Sequence, residues 1–315
     1  VIAEEENLTD GKSDRLDRLL RMIQSSWKSI IVFIPCFWLL LFFLAPFFIV
    51  LKISLAESII AQPPFTPLIN RVSDTALSIR LVFDNFLFIW EDNLYFDTYL
   101  SSIKISSIST VLCLLLGYPV AYAIVRSSPT RKIILLLMVI LPFWTSFLLR
   151  VYAWMGLLAD QGTINNILIW VGIIDQPVRM LYTELAVYIG IVYTYLPFMI
   201  LPLYANMEKL DPGLIEAAAD LGAKPVVTFL TVTLPMTLPG IIAGSLLVFI
   251  PATGEYVIPD LLGGGNVLMI GRVLYNEFNA NFDWPVASAV AIILLLLLVL
   301  PMMLYQHVQA KQAEQ

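Results

Sequence analysis

Apolar runs alternate with polar stretches along the 315-residue chain. Residues 30–51, 99–125, 133–149, 185–207, 238–259 and 286–305 form six such runs, almost free of charge. Each is about twenty residues, the length at which an α-helix crosses a bilayer's hydrocarbon layer. Only helices and closed barrels satisfy their backbone groups in lipid, and runs of this length without period-two alternation point to helices. The predicted fold class is therefore an all-α integral membrane protein with six transmembrane helices. Gly117 and Pro119 interrupt the second run, Pro142 kinks the third, and Pro197 and Pro202 lie within the fourth. An even number of crossings places both termini on one side.

The polar stretches differ in character. Residues 1–29 begin with Glu4, Glu5 and Glu6 and turn basic at Arg15, Arg18, Arg21 and Lys28, which predicts a tail followed by an interfacial helix. The triplet Gly11-Lys12-Ser13 is no phosphate loop, because Glu6 stands where the leading glycine belongs and no apolar strand precedes it. The first run lacks a small-residue cleavage site and is expected to remain in the membrane. Residues 52–97 carry both charge signs, three prolines and the aromatics Phe83, Phe86, Phe88, Trp90, Tyr95 and Phe96, which predicts a folded outer piece lying on the bilayer. Residues 150–184 and 260–285 are further outer segments, and 306–315 is a polar tail.

One polar island, residues 208–235, is built to be touched from outside. Asp211 suits a helix N-cap, Pro212 its first position and Gly222 the left-handed residue after its end, so a helix over 212–221 is marked at both ends. Leu210, Leu214, Ala217, Ala218 and Leu221 share one side at helical spacing, and Glu216 and Asp220 lie four apart on another. Residues 226–234 are rich in Val and Thr and by propensity alone read as a strand.

Composition narrows the function. The chain is 59% hydrophobic and 13% charged, with a mean hydropathy of +0.84, far from the balance of a soluble domain. A net charge of −6 argues against a nucleic-acid partner, leaving lipid as the surroundings. Cys36 and Cys113 lie in apolar runs and read as small hydrophobes, and no metal site is predicted. With one histidine, His307, and neither HExxH nor GxSxG, no catalytic residues are assigned, and an intramembrane enzyme is disfavoured.

Basic residues set the orientation. Lys12, Arg15, Arg18, Arg21, Lys28, Arg126, Arg131, Lys132, Lys209, Lys224 and Lys311 fall on one face, which also has the shorter loops. That face, with both termini and the polar island, is expected to be cytoplasmic. Inside the fifth run stands Glu255, between Gly254 and Tyr256 and flanked by Pro251 and Pro259. An ionisable group at that depth costs about 2.5–3.5 kcal/mol on insertion scales, which a cation in transit would offset. A structural carboxylate bonded to a neighbouring helix is the alternative. Tyr256, Trp144 and Tyr152 are candidates for cation–π contact, and Arg150 either faces the same route or snorkels to the headgroups.

The island's wording resembles a known motif. Glu216-Ala217-Ala218, then Asp220 and Gly222, then Leu234-Pro235, is similar to the EAA motif of permease subunits in ABC importers. The resemblance implies a helix–turn–helix in which Glu216, Ala217, Ala218, Asp220 and Gly222 couple to a cytoplasmic ATPase, so that 226–234 is helical. The stretches 141–158, 248–264 and 269–292 extend the likeness over roughly residues 30–305, and resemble permeases of polyamine importers, closest to the putrescine type. Such membership implies a second related permease, ATPase subunits that bind the ATP and Mg, a periplasmic polyamine-binding protein, a bacterial inner-membrane location, and no cofactor in this chain. A self-sufficient ion-coupled carrier is the rival, since kinked helices and a buried carboxylate suit it too. It leaves the EAA helix without a purpose.

Overall fold

The structure, a computed structural model, describes residues 31–73 and 76–313. The predicted tail and interfacial helix of 1–29 lie outside them. Helix α1 spans Ile31–Ser54 and is followed by a short antiparallel hairpin, β1 Ile69–Ser73 and β2 Ala76–Ile79, a small departure from the all-helical expectation. Then come α2 Asp84–Glu91, α3 Asn93–Val125, α4 Pro129–Ile140, α5 Phe147–Leu158, α6 Thr163–Trp170, α7 Glu184–Met207, α8 Pro212–Asp220, α9 Pro225–Thr228, α10 Leu234–Thr253, α11 Ile270–Asn279 and α12 Trp284–Ala313.

The centre of the bundle is a three-helix packing of α3, α7 and α10. Its buried side chains include Ile105, Cys113, Ala121, Ile191, Met199 and Val248. Lipid gives no hydrophobic reason for helices to associate, so close backbone approach supplies the packing instead. Gly244 of α10 shows why: a Cβ there would lie 3.1 Å from the Met199 carbonyl oxygen and 2.8 Å from its sulfur. The buried side of α3 is lined with small hydroxyls that bond within the helix, Ser106 Oγ donating to the Ser102 carbonyl and Thr110 Oγ1 to the Ser106 carbonyl, each at 2.7 Å. Ser102 Oγ accepts from the Ile270 amide at 2.7 Å and so anchors the start of α11.

Among the described residues four helices are long and apolar enough to cross a membrane, or up to five if a bent helix pair is one span. Where the sixth crossing was expected, the apolar stretch Trp284–Val299 of α12 is shorter than these. Three predicted spans differ from the structure. The third, expected as one kinked helix over 133–149, breaks after Trp144, and its halves meet at 92°. Pro142 has no amide to offer the helix, and Thr145 and Ser146 are extended, so α5 sets off in a new direction. The second crossing begins in the outer segment, at Asn93, where Asp92 caps it by accepting from the Leu94 amide. The fifth, expected over 238–259, is displaced towards the N-terminus: α9 runs through a π-turn at Phe229–Thr233 into α10, which ends at Thr253. The Val- and Thr-rich stretch is thus helical.

Helix α1 stands apart from this packing, with none of its most apolar window buried. Its C-terminal end is held by Asn85 of α2, whose buried Nδ2 donates to the Ser54 and Ala56 carbonyls at 2.9 and 2.8 Å.

Candidate functional site

Two places hold the candidate residues. The first is α8, at the end of the bundle where α7 finishes. Asp211 Oδ1 accepts from the Gly213 amide at 2.9 Å, Pro212 opens the helix, and Gly222 adopts φ +81°, so the local signals are realised. Gly222 is required because an L side chain is strained at that φ. The chain then reverses into α9.

The apolar side of α8 does not face the bundle. Leu221 is 89% exposed and Leu214 41%, with Ala217 exposed beside them, whereas Ile215 and Ala218 are half-buried. Glu216, also exposed, lines a cleft of about 500 Å³ with Tyr122, Arg126, Ile215 and Thr233. Lys132 Nζ meets Glu208 at 2.8 Å, tying the start of α4 to the end of α7. Asp220 is exposed. Glu216, Ala217, Ala218 and Asp220 therefore share one small, capped helix next to a void, and Gly222 makes the turn that follows it.

The second place is the middle of the bundle. Glu255 follows the end of α10 and its carboxylate reaches α7, where Tyr195 Oη donates to Oε2 at 2.6 Å. Its other oxygen accepts from the Val257 amide at 3.1 Å. Tyr195 is the twelfth of the 24 residues of α7, and Glu255, expected inside the fifth span, lies just past the end of α10 at Thr253. Among the described residues no basic side chain pairs with it.

From Tyr195 an aromatic line continues. Its ring lies 6.0 Å from Phe198, which meets Phe143 edge-on at 5.2 Å. The guanidinium of Arg150 lies over Phe143 at 5.6 Å and Phe147 at 6.0 Å. The half-buried Arg150 donates from Nη1 to the Pro142 carbonyl at 2.9 Å across the break, and its buried Nε has no partner among the described residues. Both candidate roles for Glu255 are thus compatible with its bond to a neighbouring helix.

The other candidates do not join it. Trp144 is 78% exposed and Tyr152 56%, with neither in the aromatic line. Tyr256 turns away from the carboxylate and stacks on Tyr275 at 4.7 Å and 9°. Sequence reasoning missed Tyr195, Phe198 and Phe143, which sit among other aromatics with no charge to mark them. No group of His, Cys, Asp and Glu able to hold a metal occurs among the described residues.

Comparison with known proteins gives this geometry its family. Residues 113–314 match the model of the binding-protein-dependent transport system inner membrane component. The spermidine/putrescine transport system permease protein PotB of Haemophilus influenzae is 41% identical over 286 residues, covering 91% of this chain and 95% of that protein. PotB of Escherichia coli K12 is 43% identical over 74% of this chain and 85% of its own length. Among solved structures, a chain of a bacterial ABC transporter involved in alginate import superposes with a TM-score of 0.67 at 17% identity, covering 93% of this chain and 99% of that one, which speaks for the fold alone. The chain belongs to the family of inner membrane components of binding-protein-dependent transport systems, a transport subunit rather than an enzyme.

Proposed function

We propose that this chain is one of two permease subunits of an ATP-driven importer of polyamines, putrescine first and spermidine as the longer alternative. The weight falls on α8, a capped helix carrying the EAA residues with its leucines exposed, in a chain 41–43% identical to spermidine/putrescine permeases. A cytoplasmic ATPase, which holds the ATP and Mg, seats on Leu214, Ala217, Leu221 and Glu216. Asp220 and the turn at Gly222 carry its stroke into α9 and α10. The membrane path alternates between outward and inward openings, and a periplasmic binding protein delivers and selects the substrate. Residues 1–29 and 306–315 are then cytoplasmic tails around a permease domain of 30–305. Glu255 receives a substrate ammonium, with the faces of Tyr195 and Phe198 adding cation–π attraction of about 0.5–2 kcal/mol each. Arg150 lies further along the same route, while Tyr256, Trp144 and Tyr152 stand outside the aromatic line and serve the path's walls.

The test is reconstitution of this chain with its second permease, ATPase and binding protein in proteoliposomes loaded with ATP. Labelled putrescine or spermidine should accumulate only in the complete assembly. Accumulation by this chain alone would instead establish the ion-coupled carrier.

A further inference from the structure

We propose that the cleft between residues 58–64 and the turn from α11 to α12 is a binding site for alkyl polyammonium ions, a first seat for the cargo at the end of the bundle away from α8. The ligand class rests on the polyamine reading above, whereas the cleft shares no residue with the Glu255 site.

Helix order places it. Gly240 lies against Asn206, Gly244 against Met199 and Glu255 against Tyr195, so α10 runs antiparallel to α7 and carries the chain away from α8 towards α11. The cleft measures about 950 Å³, and Ile59, Ile60, Gln62, Asn281, Phe282 and Trp284 are on its walls. A largely apolar cleft of this size with a few polar groups is the usual form of a small-molecule site. Trp284 is fixed by Phe278, stacked on it at 4.8 Å and 11°, with Phe65 at 6.2 Å. Phe282 is exposed and adopts φ +55°, a conformation that L side chains rarely take. The flanking amides hold it there: those of Asn281 and Asp283 donate to the Asn276 and Glu277 carbonyls of α11, both at 2.9 Å. A ring is thus kept at the wall against its backbone preference.

Two carboxylates border these rings without a countercharge. Glu277 accepts from Tyr95 Oη at 3.0 Å and from Nδ2 of the wall residue Asn281 at 2.9 Å. Asp283 stands between Phe282 and Trp284 and accepts from the Val286 amide at 3.1 Å. No basic side chain pairs with either among the described residues, whereas Glu57, next to Ser58 in the facing segment, is matched by Arg80 at 3.2 Å. The hydrogen bonds aim the two groups and leave their charge uncompensated, so the complementary occupant is a cation. A metal ion does not answer to apolar walls, and no group of His, Cys, Asp and Glu able to hold one occurs among the described residues. A chain of methylenes ending in ammonium groups does: its stem covers isoleucine and ring surface while its ends meet ring faces and carboxylates.

The experiment takes the assembled importer without its binding protein, in nanodiscs, with Ile60→Cys in a Cys36→Ser background. Reaction of the new cysteine with a thiol reagent, read by mass on this chain, is followed against putrescine. Putrescine should slow the reaction saturably, butylamine should need a higher concentration for half-protection, and neutral 1,4-butanediol should not protect. Asp283→Asn and Glu277→Gln keep the side-chain shape, and each should raise the half-protecting concentration about twofold to fivefold, the worth of one exposed ion pair. Phe282→Leu should do the same through the lost ring face. Protection by butanediol equal to that by putrescine overturns the proposal, as does protection unmoved by the two carboxylate changes together. Protection that appears only when the binding protein is added overturns it too, since it marks a protein seat. If the double variant does not assemble, Phe282→Leu and butanediol decide. Glu255→Gln should leave protection intact, and its loss there would move the ligand to Glu255. Failure of the complete importer to accumulate polyamines, with protection retained, would sink the transport reading and leave the cleft's ligand in place.

Discussion

Glu255 has a hydrogen bond to each carboxylate oxygen and no countercharge among the described residues, an arrangement that fixes the group's direction without neutralising it. Replacing it by Gln keeps the shape and one acceptor while removing the attraction for an ammonium. Uptake of putrescine by the complete importer should fall tenfold or more, with co-purification of the subunits unchanged; intact uptake would return Glu255 to a structural role. Tyr195→Phe removes one hydrogen bond to a charged group, worth about 1.5–3 kcal/mol, and should weaken uptake in the same direction by a smaller factor. Half of this pair was legible in the sequence. A glutamate in an apolar run announces itself, whereas its tyrosine is 60 residues away on another helix and no local pattern connects them. Trp144 and Tyr152 were drawn in for the converse reason, because aromatic identity says nothing about direction.

At the level of elements, α8 was readable because its ends are chemical: a capping carboxylate, a proline and a left-handed glycine fix a helix whatever surrounds it. Its apolar stripe also survived, though it faces outward and not into the bundle. Glu216→Arg should leave the chain inserted in the membrane but abolish stimulation of ATP hydrolysis by the binding protein; normal stimulation would remove α8 from the coupling route. The broken third crossing was less legible. Pro142 marked a kink, but a kinked helix and a 92° corner share that signal, and what decides is the extended backbone at Thr145 and Ser146 with Arg150 reaching back. The π-turn at Phe229–Thr233 left no trace in the sequence either, since a stretch rich in Val and Thr favours extended chain until neighbours override it. Asn85 is a tie of the same hidden kind. Asn85→Leu strands two carbonyls and should lower stability by about 2 kcal/mol or more, read as an earlier thermal midpoint in detergent.

For the whole molecule the apolar runs were the easiest inference, because the bilayer imposes one length on every span; among the described residues four of the expected crossings are long apolar helices, or up to five with the bent pair. Where each crossing starts and stops was harder, since α3 and α12 run on past the apolar stretch. Sidedness follows from charge and is directly measurable. In a Cys36→Ser background, Leu221→Cys should react with an impermeant thiol reagent only from the cytoplasmic side, and Ile60→Cys, at an extreme of exposure, only from the outside. The opposite labelling would invert the molecule and detach α8 from any cytoplasmic motor.

Helix α1 has a consequence of its own. Since its apolar side chains touch almost nothing in this subunit, they cannot be explained by the stability of the fold that carries them, and damage to them reports on whatever lies alongside. A tryptophan scan of residues 31–54 would print the outline of that neighbour: a damaged stripe every third or fourth position for another protein's surface, uniform tolerance for acyl chains.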